Sequence, residues 1–482
     1  LGLAGAGLGA TAAAAPVFHD LDEVASSPKS NYKRPWYVTE REFGNPTTEI
    51  DWSIMRPYAY NWGPIETHIY NPSHGRFGGT EYRVEELMEM SGLRQEKINR
   101  LREEGIKSGR PGFSLKDYAL GRGMGAARIQ SVDWLGPSAS PPEGVPKWTG
   151  TPEEATSMVR AAAHMMGSPN IGVLENDADI RKFYHPEKDR FEDIPADAAY
   201  ISHEPWPHPY PCLSRMGRPE TDLEVKHIPN THRWTLCFVV RQIDEMNRRG
   251  VSRQQMGGGT TGYFHGAIIP ARLMKFINYL GYHVLKSNHY IEMCNPFGIL
   301  SGCGEQGRHN LQNTPEWGPA IRMTPALTTD LPMAPTKPID AGMWKFCEVC
   351  KLCSTHCSEF GEVESPISMD DEPSWEISGP WNRAGIKKYH HKWPACRHCV
   401  ICMPSCVFMT KESASIHEVI KGVVAVSSIF NSFFATMEGT FGYGPIKTDE
   451  EMADWWEPDL NTWPYDLIYY QAPVKLGLII RR

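Results

Sequence analysis

Two runs of cysteine constrain this chain more than any other feature. Cys347, Cys350, Cys353 and Cys357 form C-x2-C-x2-C-x3-C, and Cys396, Cys399, Cys402 and Cys406 repeat the same spacing. A disulfide framework is a poor reading, because a chain of 482 residues that is 41% hydrophobic builds its own core and needs no staples. Zinc sites use paired C-x2-C knuckles, and a third and fourth cysteine at x2 and x3 do not follow that pattern. The doubled run instead suits two cubane [4Fe–4S] clusters. Three closely spaced thiolates hold three irons of one cube, and the fourth of each run reaches across to the other cube. This assigns Cys347, Cys350, Cys353 and Cys406 to one cluster, and Cys396, Cys399, Cys402 and Cys357 to the other.

The arrangement is that of a bacterial two-cluster ferredoxin unit, expected over about residues 336–412. The proline that usually follows the fourth cysteine is replaced by Ser358 and Val407. That proline shapes a turn and is no ligand. The stretch between the runs holds Trp375, Trp381, Trp393 and a basic segment from Lys387 to Lys392, and reads as an insertion over the clusters. Cys212, Cys237, Cys294 and Cys303 share no such spacing and read as small buried hydrophobes.

The length suggests two or three packed units. Residues 1–16 open with LGLAGAGLGATAAAA, uncharged and ending in small residues, which reads as the end of an export signal, with a twin-arginine pair expected upstream. An N-terminal unit follows over 17–150, with a helix near Glu81 to Glu104. Thr151-Pro152-Glu153-Glu154 reads as a capping box opening a helix that stops at Gly167. Strands are expected at Ile171 to Leu174, Trp234 to Val240 and Tyr282 to Leu285, and a helix over Pro270 to Leu280. Helices alternating with strands over 151–335 predict an α/β or α+β core. An apolar helical stretch, Ile416 to Phe434, lies in a C-terminal segment, 413–482, expected to complete that core. The net charge of −8, with no long Lys/Arg block, argues against a nucleic-acid partner.

Two clusters make an electron wire, and the large segment before them should hold a second redox centre. No convincing G-x-G-x-x-G follows a strand, C-x-x-C-H is absent, and no D-x-H occurs. A corrinoid, if present, would therefore be held without that motif's histidine, by shape and backbone contacts. Gly257-Gly258-Gly259, followed by Thr260, would let the backbone approach a large flat ligand; the alternative is a flexible loop.

With these residues in view, the chain resembles the corrinoid and iron–sulfur reductive dehalogenases of organohalide-respiring bacteria, including the chloroethene type. The likeness is carried by the leader ending AAAAP, Ile228-Pro229-Asn230-Thr231, Gly281-Tyr282 and Thr314-Pro315-Glu316-Trp317-Gly318-Pro319. Thr324-Pro325, Lys337-Pro338-Ile339-Asp340 and the doubled cysteine motif complete it. It covers most of 150–410. The resemblance implies an α+β fold with a nitroreductase-like corrinoid-binding core and a ferredoxin-like two-[4Fe–4S] domain. It implies electron transfer through the clusters to a Co(I) corrinoid and removal of halide from a small organohalide, with chlorinated ethenes as candidates. It also implies twin-arginine export, a peripheral place on the outer face of the cytoplasmic membrane, a small membrane-anchor partner and an upstream electron donor.

The family places a tyrosine near the corrinoid as proton donor, which falls on Tyr263. A phenol needs a nearby cation to become a competent acid, and the family's basic residue falls on Arg322, with Arg308 as a second candidate. An asparagine lining the family's site falls on Asn288. Two other readings remain open at this point. Epoxyqueuosine reductase pairs a corrinoid with two such clusters, but acts on tRNA, against which the leader and the charge argue. An electron-transfer subunit would carry the clusters without a corrinoid.

Overall fold

The computed structural model describes residues 34–55, 84–119, 134–136, 138–184, 188–205, 212–213, 219–220, 222–286, 294–323, 327–376, 382, 384–396, 399–409, 416–441, 444–446 and 448–457. The leader lies outside these residues.

Strand β1 (Thr39–Glu40) begins the described chain, and helix α1 (Val84–Ser108) follows. Helix α2 (Pro152–Met165) starts where its capping box demands: Glu154 N–H donates to Thr151 Oγ1, and the Glu154 carboxylate accepts from Thr151 N–H at 2.8 Å. Next come β2 (Asn170–Glu175), β3 (Asp189–Glu192), β4 (Tyr200–Pro205), β5 (Asp222–Pro229) and β6 (Trp234–Arg241). The short α3 (Asp244–Arg248) leads to the long α4 (Met256–Tyr279), then β7 (Val284–Lys286) and α5 (Cys294–Leu300). Strands β8 (Glu305–Gln306), β9 (Gln312–Asn313), β10 (Ile321–Met323), β11 (Leu327–Thr329) and β12 (Ile339–Asp340) precede α6 (Met343–Cys347) and α7 (Leu352–Gly361). Helices α8 (Ile416–Val426), α9 (Asn431–Phe441) and α10 (Asp449–Asp454) close the described chain.

The core is a five-stranded antiparallel sheet centred on β6, which pairs with β2 along one edge and with β10 and β11 along the other, while β7 pairs with β11. The β6 sequence, WTLCFVVR, is almost wholly apolar because both of its faces are covered. Leu236, Phe238 and Val240 point to one face and pack with Val159 and Ala163 of α2 and with Ile269, Leu273 and Ile277 of α4. Cys237 and Val239 point to the other and meet Phe297 and Leu300 of α5, Phe183, Trp317 and Ile321. Gly172 is required where α5 ends on β2, since a Cβ there would lie 2.5 Å from that of Ser301. A second sheet sets β5 between parallel β3 and antiparallel β4. Mixed helices and sheets make the chain α+β.

Three expectations change. The helix expected over Pro270 to Leu280 starts earlier, at Met256, and carries Pro270 and the glycine run inside it. Proline and glycine disfavour a helix locally, but α4 is anchored to the sheet by Ile269, Leu273, Met274 and Ile277, and this packing overrides propensity. The glycines therefore form helix rather than a loop. The stretch expected as one helix from Ile416 is two, α8 and α9, parted at Ser427 to Phe430. Finally, α8 and α9 bury Ile420, Val423, Val424 and Phe434 against Tyr37, Phe346, Cys350 and Phe408, so they roof the cysteine-rich segment rather than the β6 sheet.

Candidate active site and cysteine centre

Tyr263 projects from the first turns of α4, and Arg322 from the middle of β10, registered opposite Val240. The helix crosses this strand at Gly262, where a Cβ would lie 2.6 Å from Arg322 Cγ. With no side chain in the way, the guanidinium reaches over the Tyr263 ring, 4.9 Å from its centroid. Gly259 faces the same guanidinium, its would-be Cβ 3.7 Å from one terminal nitrogen. Two expected residues are thus brought together, and part of the glycine run shapes the space above them. Gly257, Gly258 and Thr260 lie on the same helix. Tyr263 is 48% exposed. Asn288 lies outside the described residues.

Arg308 takes a different place from the one expected. It is 1% exposed, its guanidinium stacks on the Tyr389 ring 3.8 Å away, and its donors go to the carbonyls of Cys347, Cys350, Glu348, Ser368 and Asp370. A guanidinium spent on five carbonyls clamps the first cysteine run and is not a partner for the Tyr263 hydroxyl.

Between these two places runs residues 312–322. Asn313 Oδ1 lies 4.0 Å from Cys406 Sγ at one end, and Arg322 meets Tyr263 at the other. Along and beside this path, buried polar atoms find no partner among the described residues: both amide atoms of Gln312, Asn313 Nδ2, Arg322 Nε, and Asn247 Oδ1, whose amide nitrogen donates to Gln242. Buried polar groups are ordinarily satisfied, so this many orphans along one path call for a polar-edged partner. A large group fringed with amides, as a corrinoid is, has the donors and acceptors to satisfy them, and the residues present fit such a group.

The two cysteine runs lie close enough for their thiols to act on one another. Burial pushes the Cys353 thiol well above its ordinary range, and the nearby Cys350, Cys347 and Cys406 push it further. Burial does the same to Cys402, with Cys357, Cys396, Cys399 and Cys353 adding to it. Cys347 and Cys399 are pushed up to about 11 and Cys350 to about 12, in each case first by burial. Thiols this reluctant to ionise need a strong Lewis acid to become ligands. Among the described residues no three His, Cys, Asp or Glu are gathered closely enough to hold a single ion. Eight thiols in two runs of this spacing are a donor set of the kind two [4Fe–4S] cubes would take.

The pattern of the reductive dehalogenase subunit family matches residues 33–200. The chloroethene reductive dehalogenase of Dehalococcoides mccartyi strain VS is 33% identical over 97% of this chain and 96% of its own length. The chain belongs to the reductive dehalogenase family. The trichloroethene reductive dehalogenase of a second D. mccartyi strain is 27% identical over 95% of this dehalogenase and 94% of that relative. The tetrachloroethene reductive dehalogenase of Sulfurospirillum multivorans is 28% identical over 68% and 64%. Among solved structures, the catabolic reductive dehalogenase NpRdhA superposes with a TM-score of 0.55 at 16% identity, covering 90% of this chain and 53% of that one. A reductive dehalogenase whose structure suggests a mechanism for B12-dependent dehalogenation superposes at 0.52 with 16% identity, over 90% and 56%. The dehalogenase thus shares the fold of solved structures of which it covers little more than half. The likeness expected over 150–410 extends through the N-terminal unit.

Sequence reading missed one element of this dehalogenase's cysteine centre. Arg94, on α1, is 2% exposed and donates to Cys357 O at 2.9 Å and to Cys357 Sγ at 3.3 Å. Its contacts span 263 residues of sequence, and nothing in the local helical pattern marks it.

Proposed function

We propose that this dehalogenase removes chloride from a small chlorinated ethene, using electrons relayed by two [4Fe–4S] clusters to a corrinoid held in a nitroreductase-like core. The balance is R–Cl + 2e⁻ + H⁺ → R–H + Cl⁻. The observation that carries the reading is the contact between Arg322 and Tyr263, set in a chain with a chloroethene reductive dehalogenase as a near-full-length relative. The corrinoid, when bound, supplies the reducing cobalt that breaks the carbon–chlorine bond.

The protein's own residues do the rest. Tyr263 Oη delivers the proton that replaces chloride on carbon, and the Arg322 charge stabilises the phenolate left behind. Gln312, Asn313 and Asn247 would offer amide groups to the edge of the corrinoid. Cys347, Cys350, Cys353 and Cys406 would hold the inner cluster, beside Asn313. Cys396, Cys399, Cys402 and Cys357 would hold the outer one, beside Arg94, which would take electrons from an upstream donor. Export by a twin-arginine route to the outer face of the membrane, with a small membrane-anchor partner, belongs to the same reading. Trp36, Val426, Ile429, Phe433 and Phe441 expose large apolar side chains near the C-terminal helices, a surface that would suit such a partner.

The test is chloride release from chlorinated ethenes by anaerobically prepared, corrinoid-loaded protein with a low-potential one-electron donor. Chloride and the hydrogen-substituted ethene appearing together support the proposal. Fully loaded protein that turns over a tRNA base and no organohalide would sink it.

A further inference from the structure

The two cysteine sets are served by two buried arginines that act differently. Every described hydrogen bond of Arg308 goes to a carbonyl oxygen. Arg94 also holds carbonyls, those of Cys357 at 2.9 Å, Val363 at 3.4 Å and Glu364 at 2.8 Å, but it alone of the two donates to a cysteine sulfur, Cys357 Sγ at 3.3 Å. Its Nε–H is buried with no acceptor among the described residues. The sulfides of a cluster ligated by Cys357 are acceptors of the kind this donor lacks.

A cation hydrogen-bonded to a ligating sulfur stabilises the more negative, reduced form of a cluster, and the effect grows where water is excluded. We infer that Arg94 is a tuning residue of the cluster held by Cys357, Cys396, Cys399 and Cys402, and makes it the first of the two to accept an electron. The step is a single electron taken from a low-potential one-electron donor, lowering the charge of that cube by one, with no bond made or broken. The inference rests on the two-cluster reading above and adds to it the residue that orders the clusters.

Replacing Arg94 alone would confound tuning with fold, since it also holds three carbonyls. Gly361 offers a gentler change. A Cβ there would lie 2.5–2.6 Å from the Arg94 guanidinium, so Gly361→Ala must displace that group while leaving its charge in the protein. The experiment is an EPR-monitored redox titration of the full chain as wild type, Gly361→Ala and Arg94→Lys, with iron and acid-labile sulfide measured on each sample. The expected result is full iron in all three and two midpoints in the wild type. In Gly361→Ala the higher midpoint falls by about tenfold in the reduced-to-oxidised ratio, which is 59 mV for one electron, and the lower one stays put. Arg94→Lys, which keeps a charge but loses the fork, is expected to lie between. Wild-type midpoints in both variants, with full iron, would overturn the inference and leave Arg94 a clamp. Loss of about half the iron from Gly361→Ala would do the same, because the role would then be to hold a ligand. A wild type that binds no iron would overturn the two-cluster reading itself, and the inference with it.

Discussion

The Arg322 guanidinium reaches the Tyr263 ring because α4 crosses β10 at Gly262, where no side chain intervenes. Tyr263→Phe keeps the ring and removes only the acid. It should lower turnover by about 10²–10⁴-fold, the usual contribution of a general acid, with iron and cobalt content unchanged. Gly262→Ala should mimic part of that loss, since its methyl must displace Arg322, and kinetics beside cofactor content will separate this from misfolding. Resemblance made Tyr263 and Arg322 legible, whereas Arg94 and the true place of Arg308 were not, because a long-range clamp leaves no local pattern. His309 carries a prediction of a different kind. Its ring is buried, Nδ1 accepts from Leu311 N–H, and burial holds its pKa down at about 4. Protonation is thus easier in the unfolded chain than in the folded one. The contribution of His309 is complete above pH 6.5 and is lost as pH falls toward 4, up to roughly 3 kcal/mol for a shift of this size. His309→Asn keeps an acceptor for Leu311 and should flatten that part of the stability–pH curve in denaturant titrations; an unchanged slope would contradict the assignment.

At the scale of elements, β2, β6 and α2 were legible because local chemistry and tertiary structure agree there. The capping box at Thr151 and Glu154 fixes the start of α2, and Thr151→Ala should cost about 1 kcal/mol in chemical denaturation. The start of α4 was not legible. Its glycines and Pro270 signal a break, and only the sheet packed under Ile269, Leu273 and Ile277 makes them helical. The same packing gives the glycines their use: Gly259 and Gly262 let the helix lie against Arg322. The turn between α8 and α9 was hidden for a related reason. The apolar run is continuous in sequence, and the break reflects how two short helices fit over Phe346 and Phe408.

For the molecule as a whole, the sequence order hides which parts meet. Helix α1, from the N-terminal unit, and α8 and α9, from the C-terminal segment, both close on the cysteine-rich segment between them. Under the proposed crossed ligation, Cys406→Ala should disturb the cluster otherwise built from the first run, beside Asn313, and not the one beside Arg94, as iron content and EPR would show. The central claim is that one chain holds both an electron relay and a corrinoid. Metal analysis of anaerobically purified, corrinoid-supplied protein, with its visible spectrum, tests it most directly. The expected result is about eight irons, for two four-iron cubes, and one cobalt per chain. Eight irons with no cobalt after corrinoid supply would contradict the account, leaving an electron carrier with no use for Tyr263 and Arg322.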